Sequence, residues 1–271
     1  MPYIDSRAGK VSYEECGSGP PLILVAGFGQ DTSAWLEQRD IYARFFRVLM
    51  LDLRGSGSSD VPEPGYDPAD LADDVITLMD TLGLKKAHFG GFSLGGAVGM
   101  ELAIRNPERL ISLSIHSSWE ATEPYPHFRQ WIDIRRRIIA LNDPIVNVGT
   151  RLVSFFSPDF INSRQDRIEL FIKRANENPR PITPKAIDGQ AEACMRHDVR
   201  GRLEAIRVPT LITVGTKDRT TPPSASEYLH RNIRGSEYVT LEDGAHCTMF
   251  QMPEEFASVS LGFLMKHAHA T

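Results

Sequence analysis

The chain has 271 residues, of which 41% are hydrophobic and 24% are charged, as in an ordinary folded globular protein. Its net charge of -5 excludes the basic surface that a nucleic-acid partner requires. No apolar run is long enough for a membrane span or a signal peptide, and an odd, sparse set of cysteines argues against a disulfide framework (Cys16, Cys194, Cys247). We therefore expect a cytoplasmic protein with no membrane partner, whose oligomeric state is open.

The first part of the chain is rich in strand signals. Residues 2–16 alternate loosely between apolar and polar side chains and predict an antiparallel hairpin. Continuous apolar runs at 22–26 and 46–51 predict two buried strands. A glycine-containing loop follows each of them, at 27–29 and at 52–60.

A helix is predicted to begin at Pro68. Asp67 is a suitable N-cap, and proline is favoured at the first helical position. Apolar residues then recur at helical spacing (Leu71, Val75, Leu78, Leu82). Gly83 is a natural terminator, and a further strand is predicted at 110–115.

Residues 91–95 read Gly-Phe-Ser-Leu-Gly and match the nucleophile-elbow pattern, in which a serine lies on a tight turn between a strand and a helix. The apolar residues 87–89 predict the strand, and the apolar residues from 97 to 104 predict the helix. Glycine suits such a turn because it has no Cβ where the backbone is strained and crowded. A glycine-rich turn with an idle Ser93 is the alternative.

Between residues 119 and 201 the strand signals stop. Helices are predicted there at 128–142, 144–156, 159–175 and 184–195. Strands resume at 209–215 and 237–241, each followed by a helix, at 223–233 and 253–264.

This alternation predicts an α/β fold with a mostly parallel, doubly wound sheet. Residues 1–118 and 202–271 would form the core domain, with 119–201 inserted in it as a helical lid. Ligands collect beyond the carboxyl ends of parallel strands, and the insertion would cover that space.

A serine hydroxyl needs a base to become nucleophilic, and the base needs an acid that orients it. Asp218 follows the strand at 209–215, and His246 follows the strand at 237–241. With Ser93 they place three suitable residue types at three strand ends, and we predict that they form a catalytic triad. Three rival acids remain candidates (Asp198, Glu242, Asp243).

An oxyanion hole needs two backbone N–H groups, for which we predict Leu94 and Phe28. The loop at 27–29 could also begin a dinucleotide fingerprint, but Thr32 stands where the third glycine belongs. We expect no cofactor, and no metal because the histidines lack ligand spacing.

Four residues are candidates for binding substrate (Gly27, Trp119, Phe128, Trp131). Trp119 is favoured because it leaves the strand at 110–115, although the aromatic residues at helical spacing also suit an ordinary helical core. We assign Asp52 and Arg54 a structural role, as an ion pair that braces the turn at 55–59.

Together these motifs resemble α/β-hydrolase-fold serine hydrolases of the small, lid-bearing kind, most of all the group around 3-oxoadipate enol-lactonases and related carboxylesterases. The resemblance covers essentially the whole chain through five motifs (27–29, 52–59, 91–96, 215–218, 244–246). Relatives often carry His-Gly where this chain has Ala26-Gly27. The resemblance implies cleavage of a small ester or lactone through an acyl-enzyme on Ser93.

Other activities remain open on the same triad: hydrolysis of a C–C bond, cofactor-free perhydrolysis and acyl transfer. Haloalkane dehalogenases and epoxide hydrolases are disfavoured, because their nucleophile is an aspartate and position 93 is serine. From a different class, a ligand-binding signalling protein can share the fold.

Overall fold

A computed structural model describes residues 2–268 and has an eight-stranded sheet at its centre. Met1 and residues 269–271, which the predicted core domain includes, lie outside the described residues. The strands are β1 (Tyr3–Ser6), β2 (Gly9–Cys16), β3 (Pro21–Val25), β4 (Arg47–Leu51), β5 (Ala87–Phe92), β6 (Leu110–His116), β7 (Thr210–Gly215) and β8 (Glu237–Leu241).

The sheet order is β1-β2-β4-β3-β5-β6-β7-β8. Strand β2 runs antiparallel to both of its neighbours, β1 and β4, whereas the pairs from β4 to β8 are all parallel. The mostly parallel sheet and the N-terminal hairpin are therefore confirmed.

The described residues form eleven α-helices. They are α1 (Leu36–Tyr42), α2 (Pro68–Thr81), α3 (Leu94–Arg105), α4 (Pro126–Leu141), α5 (Pro144–Phe155), α6 (Pro158–Ser163), α7 (Gln165–Asn176), α8 (Pro184–Arg196), α9 (Pro223–Asn232), α10 (Thr248–Gln251) and α11 (Pro253–His267). Residues 159–175, predicted as one helix, are two, because Arg164 has the non-helical angles φ -120° and ψ 58°. Within residues 2–268, every helix is too short or too polar to cross a bilayer.

Apolar side chains on both faces of the sheet build two clusters. In β3, Ile23 and Val25 belong to one cluster and Leu22 and Leu24 to the other, because side chains alternate along a strand. Helices α2, α3 and α9 contribute to the first cluster, and α1, α10 and α11 contribute to the second. The doubly wound arrangement is confirmed.

Helices α4 to α8, which we call the helical segment (residues 126–196), connect β6 to β7. Phe128 of α4 belongs to the first cluster and Phe155 of α5 to the second. The segment also contacts the loops after β3 and β8: Gly29 N–H donates to Gln190 Oε1 at 2.8 Å, and Cys247 N–H donates to Phe155 O at 3.0 Å. It therefore packs across the carboxyl edge of the sheet.

The prediction that Asp52 pairs with Arg54 is wrong. Arg54 forms a buried ion pair with Asp74 of α2 at 2.6 Å. The carboxylate of Asp52 instead accepts from Ser58 N at 3.0 Å in its own loop and from Thr32 N at 2.9 Å in the loop after β3. Within residues 2–268 it forms no ion pair. The two side chains diverge because their directions depend on the local backbone, which spacing alone does not reveal.

Glycines bring α3 unusually close to the sheet. A Cβ on Gly95 would overlap the carbonyl oxygen of Val25 in β3, and a Cβ on Gly91 would overlap the carbonyl oxygen of Gly95. Backbone atoms of packed strands cannot move aside, so both positions require glycine.

Replacing Gly95 by alanine should destabilise the protein by about 3 kcal/mol or more, because the new methyl group forces α3 away from β3. Gly262→Ala is the matched control. Gly262 is an exposed residue of α11, and nothing lies within 4 Å of the position that a Cβ would take there, so alanine should stabilise by about 0.5–1 kcal/mol. Urea unfolding curves measure both, and equal effects would contradict the packing argument.

Candidate active site

Ser93 lies on the turn between β5 and α3, with φ 54° and ψ -115°. A non-glycine residue in this region carries strain of about 1–3 kcal/mol. Its backbone is fixed on both sides: Ser93 N–H donates to His116 O at 2.8 Å, and Ser118 Oγ donates to Ser93 O at 2.9 Å. The side chain is buried, yet its Oγ makes no hydrogen bond to any described residue.

Asp218 and His246 meet as a buried pair. His246 Nδ1 lies 2.9 Å from Asp218 Oδ2, and the side chains of His246 and Asp218 are 2% and 0% exposed. The backbone N–H groups of Thr220 and Thr221 donate to Asp218 Oδ1 at 2.8 and 3.0 Å. These donors compensate the cost of burying a carboxylate.

This pairing determines the tautomer of His246. An ionised carboxylate only accepts hydrogen bonds, so Nδ1 must carry a proton, and in the neutral ring Nε2 keeps its lone pair. Nε2 makes no hydrogen bond to a described residue. The ring centroids of Phe92 and His246 are 4.9 Å apart, so His246 lies against the residue before Ser93. The structure thus joins Asp218 to His246 by a hydrogen bond but does not join His246 to Ser93.

The loop after β3 lies beside Ser93. A Cβ on Gly27 would be 3.0 Å from Ser93 Cβ and 3.2 Å from Gln30 Oε1. Gly27 N–H donates to Gln30 Oε1 at 3.3 Å. The N–H groups of Phe28 and Leu94 donate to no atom of residues 2–268. Both predicted oxyanion donors are therefore unoccupied by the described part of the chain.

The predicted aromatic residues form one continuous run of ring contacts. Trp119 is fully buried, and its ring centroid lies 4.6 Å from the ring centroid of Phe128. Phe128 stacks on Trp131, with their ring centroids 5.9 Å apart. Trp131 in turn lies 5.8 Å from Phe28. Trp131 is thus the member of this run that reaches the loop beside Ser93, and the role of all three in substrate binding stays a prediction.

Within residues 2–268, none of the three rival acids forms a hydrogen bond or an ion pair with His246. Asp198 forms an ion pair with Arg200, whose guanidinium lies 2.6 Å from Asp198 Oδ2. Asp243 Oδ1 lies 3.8 Å from Lys217 Nζ. Glu242 accepts from Thr216 Oγ1 at 3.4 Å. Among residues 2–268, no three His, Cys, Asp or Glu side chains are grouped so that they could hold a metal ion.

Sequence reasoning missed Thr221. Its Oγ1 lies 3.0 Å from Asp218 Oδ2, 3.2 Å from His246 Nδ1 and 2.9 Å from Ser117 O. The hydroxyl therefore touches both members of the buried pair and ties them to the end of β6. A threonine after the predicted Asp218 turn gives little signal, because threonine is also common in ordinary loops.

Two glutamines that the sequence analysis did not single out fasten the helical segment to the loops of the site. Gln190 of α8 accepts from Gly29 N and donates through Nε2 to Arg54 O at 2.9 Å. Gln251 donates through Nε2 to Asp243 O at 2.8 Å and to Ser157 Oγ at 3.0 Å. Gln190 follows the apolar Ile187 by three positions, so a polar residue on the buried face of α8 was a signal that could have been used.

Comparisons with known proteins agree with this architecture. A protein of Azorhizobium caulinodans that carries the provisional name carbamate hydrolase RutD is 28% identical over 97% of this chain and 98% of its own length. An esterase from Thermogutta terrifontis superposes with a TM-score of 0.85 at 27% identity, covering 98% of both chains. The enol-lactonase from Burkholderia xenovorans LB400 has a TM-score of 0.84 at 26% identity, covering 97% of this chain and 100% of its own.

The expected resemblance to enol-lactonases and esterases is confirmed by these structures. Residues 20–253 match the family described by the alpha/beta hydrolase fold, which is most of the chain. The protein is a hydrolase by family and by its relatives. The chain therefore belongs to the α/β-hydrolase family.

Proposed function

We propose that the protein is a serine hydrolase that cleaves a small carboxylic ester or lactone through an acyl-enzyme on Ser93. The observation that carries the proposal is the buried hydrogen bond of 2.9 Å between His246 Nδ1 and Asp218 Oδ2, at the sheet edge where an elbow holds Ser93. A buried acid that fixes the histidine tautomer is what a serine nucleophile needs from its base.

In the proposed reaction, Ser93 Oγ attacks the substrate carbonyl while His246 Nε2 takes the hydroxyl proton. Asp218 stabilises the imidazolium that forms. The N–H groups of Phe28 and Leu94 bind the negative oxygen of the tetrahedral intermediate. His246 then protonates the leaving alcohol and activates a water molecule that releases the acid and restores Ser93.

The contact between Ser93 and His246 need not be formed before substrate binds. Catalytic hydrogen bonds are often long in the free enzyme and tighten in the complex. Ser93 Oγ and His246 Nε2 have no competing partner among the described residues, so neither must break a bond to reach the other. The helical segment would act as a lid over this site. Gln190 supports that role by binding the segment to the loop after β3, and Gln251 supports it by binding Ser157 of the segment and Asp243 of the loop after β8.

Carbamate hydrolysis is a second candidate, because relatives that carry this provisional name match the chain over nearly its full length. Ser93 would attack the carbamate carbonyl and expel the alcohol, and water would then release the carbamoyl group as a carbamic acid, which decomposes to CO2 and ammonia or an amine. Comparing acid release from short esters with ammonia or amine release from carbamates, at equal enzyme concentration, distinguishes the two.

Sustained turnover of an ester or a carbamate also argues against a signalling protein. In such a protein Ser93 would be modified once, and the acyl group would not be released.

Ser93→Ala should lower kcat for a short aryl ester by at least about 10⁴-fold, because the attacking oxygen is lost while the fold is retained. Steady-state assays measure the rate, and circular dichroism confirms folding. A phosphonate ester should label Ser93 in the wild type and leave the variant unmodified. A rate near that of the wild type would contradict the proposed nucleophile.

Thr221→Val should lower kcat about tenfold with little change in KM, because one hydrogen bond to the charged Asp218 is lost and the imidazole is held less firmly. Thr221→Ser keeps the hydroxyl and should retain most of the wild-type rate. If both variants lose activity equally while their urea midpoints match that of the wild type, Thr221 does not position the pair through its hydroxyl.

A further inference from the structure

A small cavity of about 80 Å³ lies between the helical segment and the loop after β3. Its lining includes Gln30, Arg151 and Cys247. Gln30 Oε1 and Ser93 Cβ are both within 3.2 Å of the point that a Cβ on Gly27 would occupy, and Cys247 directly follows His246. Ser93 and His246 are not themselves in the lining, so the cavity neighbours the proposed reaction centre through Gln30 and Cys247.

Arg151 of α5 is the notable cation of this cavity. Its guanidinium lies over two aromatic rings, with Cζ 5.6 Å from the centroid of Phe155 and 4.9 Å from that of Phe171. The ring of Phe155 is itself 5.8 Å from the ring of His246. A single residue, Phe155, therefore contacts both Arg151 and the proposed catalytic base, His246.

Within residues 2–268, the half-buried Arg151 makes no hydrogen bond and no ion pair. Desolvation lowers the pKa of its guanidinium, as expected for a cation partly withdrawn from water without a partner. Arginines in such surroundings are usually matched by a carboxylate or by several carbonyl oxygens, because an unpaired charge that has lost solvent is costly.

Asp31 attracts Arg151 through space, but no polar group that lines the cavity forms an ion pair or a hydrogen bond with Arg151 within residues 2–268. Asp31 accepts hydrogen bonds from Ser33 N and Asn178 Nδ2, both at 2.9 Å, and lies beyond ion-pair distance of Arg151. Arg174 is paired with Glu37 at 2.7 Å. Burial raises the pKa of the Cys247 thiol to about 12, so it is neutral at pH 7 and supplies no anion.

We propose that this cavity binds a carboxylate carried by the substrate, with the guanidinium of Arg151 as its partner. The natural substrate would then be an anionic ester or lactone, with its charged group some distance from the bond that Ser93 cleaves. Arg151 is suited to this because its planar guanidinium presents several donors to a carboxylate and stays protonated at neutral pH. This inference rests on the proposed function, whose substrate class it narrows.

The test compares substrates that differ only in a carboxylate. Monomethyl glutarate and methyl pentanoate form one pair, with the charge on the acyl side, and 4-acetoxybutanoate and butyl acetate form the other, with the charge on the alcohol side. For each pair, the ratio of kcat/KM for the anionic over the neutral ester is measured at pH 7 by acid release. The wild type should prefer the anion in at least one pair.

In Arg151→Gln that ratio should fall about 10- to 100-fold, the value of one or two charge-assisted hydrogen bonds. Arg151→Lys should recover part of it. Because the quantity is a ratio, a smaller fraction of folded enzyme does not affect it. Arg137→Gln is the matched control, since Arg137 is exposed on α4 and has no described partner. An unchanged ratio in Arg151→Gln for both pairs, or an equal fall in Arg137→Gln, would overturn the proposal.

Calorimetric titration with glutarate separates this inference from the proposed function. Binding to the wild type that weakens at least tenfold in Arg151→Gln supports the anion site even if no ester is hydrolysed, in which case the proposed function alone is wrong. Equal binding to the two proteins, or none to the wild type, contradicts the anion site whatever the esterase assays give.

Discussion

The structure depends on the close approach of α3 to the strands β3 and β5. The strained backbone of Ser93 is stable only because hydrogen bonds hold it from both sides and because Gly91 and Gly95 leave no side chain between the helix and the sheet. With a Cβ at either glycine the helix would have to move, and the serine with it. The same contact brings Gly27 against Ser93, so the turn and the loop after β3 are positioned together.

A second constraint is the buried charge of Asp218. A carboxylate with no exposed side-chain area needs several donors. The loop after β7 supplies two backbone N–H groups and the hydroxyl of Thr221, and His246 donates as well. The histidine is held in one tautomer as a consequence of satisfying that charge. Gln251, through Asp243 and Ser157, joins the loop after β8, which carries His246, to the helical segment, so movement of the segment would displace His246.

The sequence was sufficient for features that short-range patterns determine. Asp67 and Pro68 indicated the start of α2, and Asp67 forms the expected cap with Ala69 N and Asp70 N. Sequence reasoning failed where a contact joins distant residues: Arg54 pairs with Asp74 rather than Asp52, and Thr221 and Gln190 bond to groups far away in the chain. The parallel sheet made Asp218 and His246 neighbours in the prediction because strand ends share an edge, whereas side-chain partners depend on directions that periodicity does not encode.

Two arginines of the helical segment show why Arg151 differs from a structural residue. Arg135 of α4 is buried, and burial lowers its pKa to about 10, but it donates to Asn147 O, Asn147 Oδ1 and Thr150 Oγ1. Neutral oxygens thus satisfy Arg135, and it joins α4 to α5. The half-buried Arg151 lies over aromatic faces, which attract a cation but accept none of its N–H groups as strong hydrogen bonds, and it has no hydrogen-bond partner within residues 2–268. A guanidinium that lacks hydrogen-bond acceptors is less stable than one that has them, and an anion bound in the cavity would supply such acceptors to Arg151.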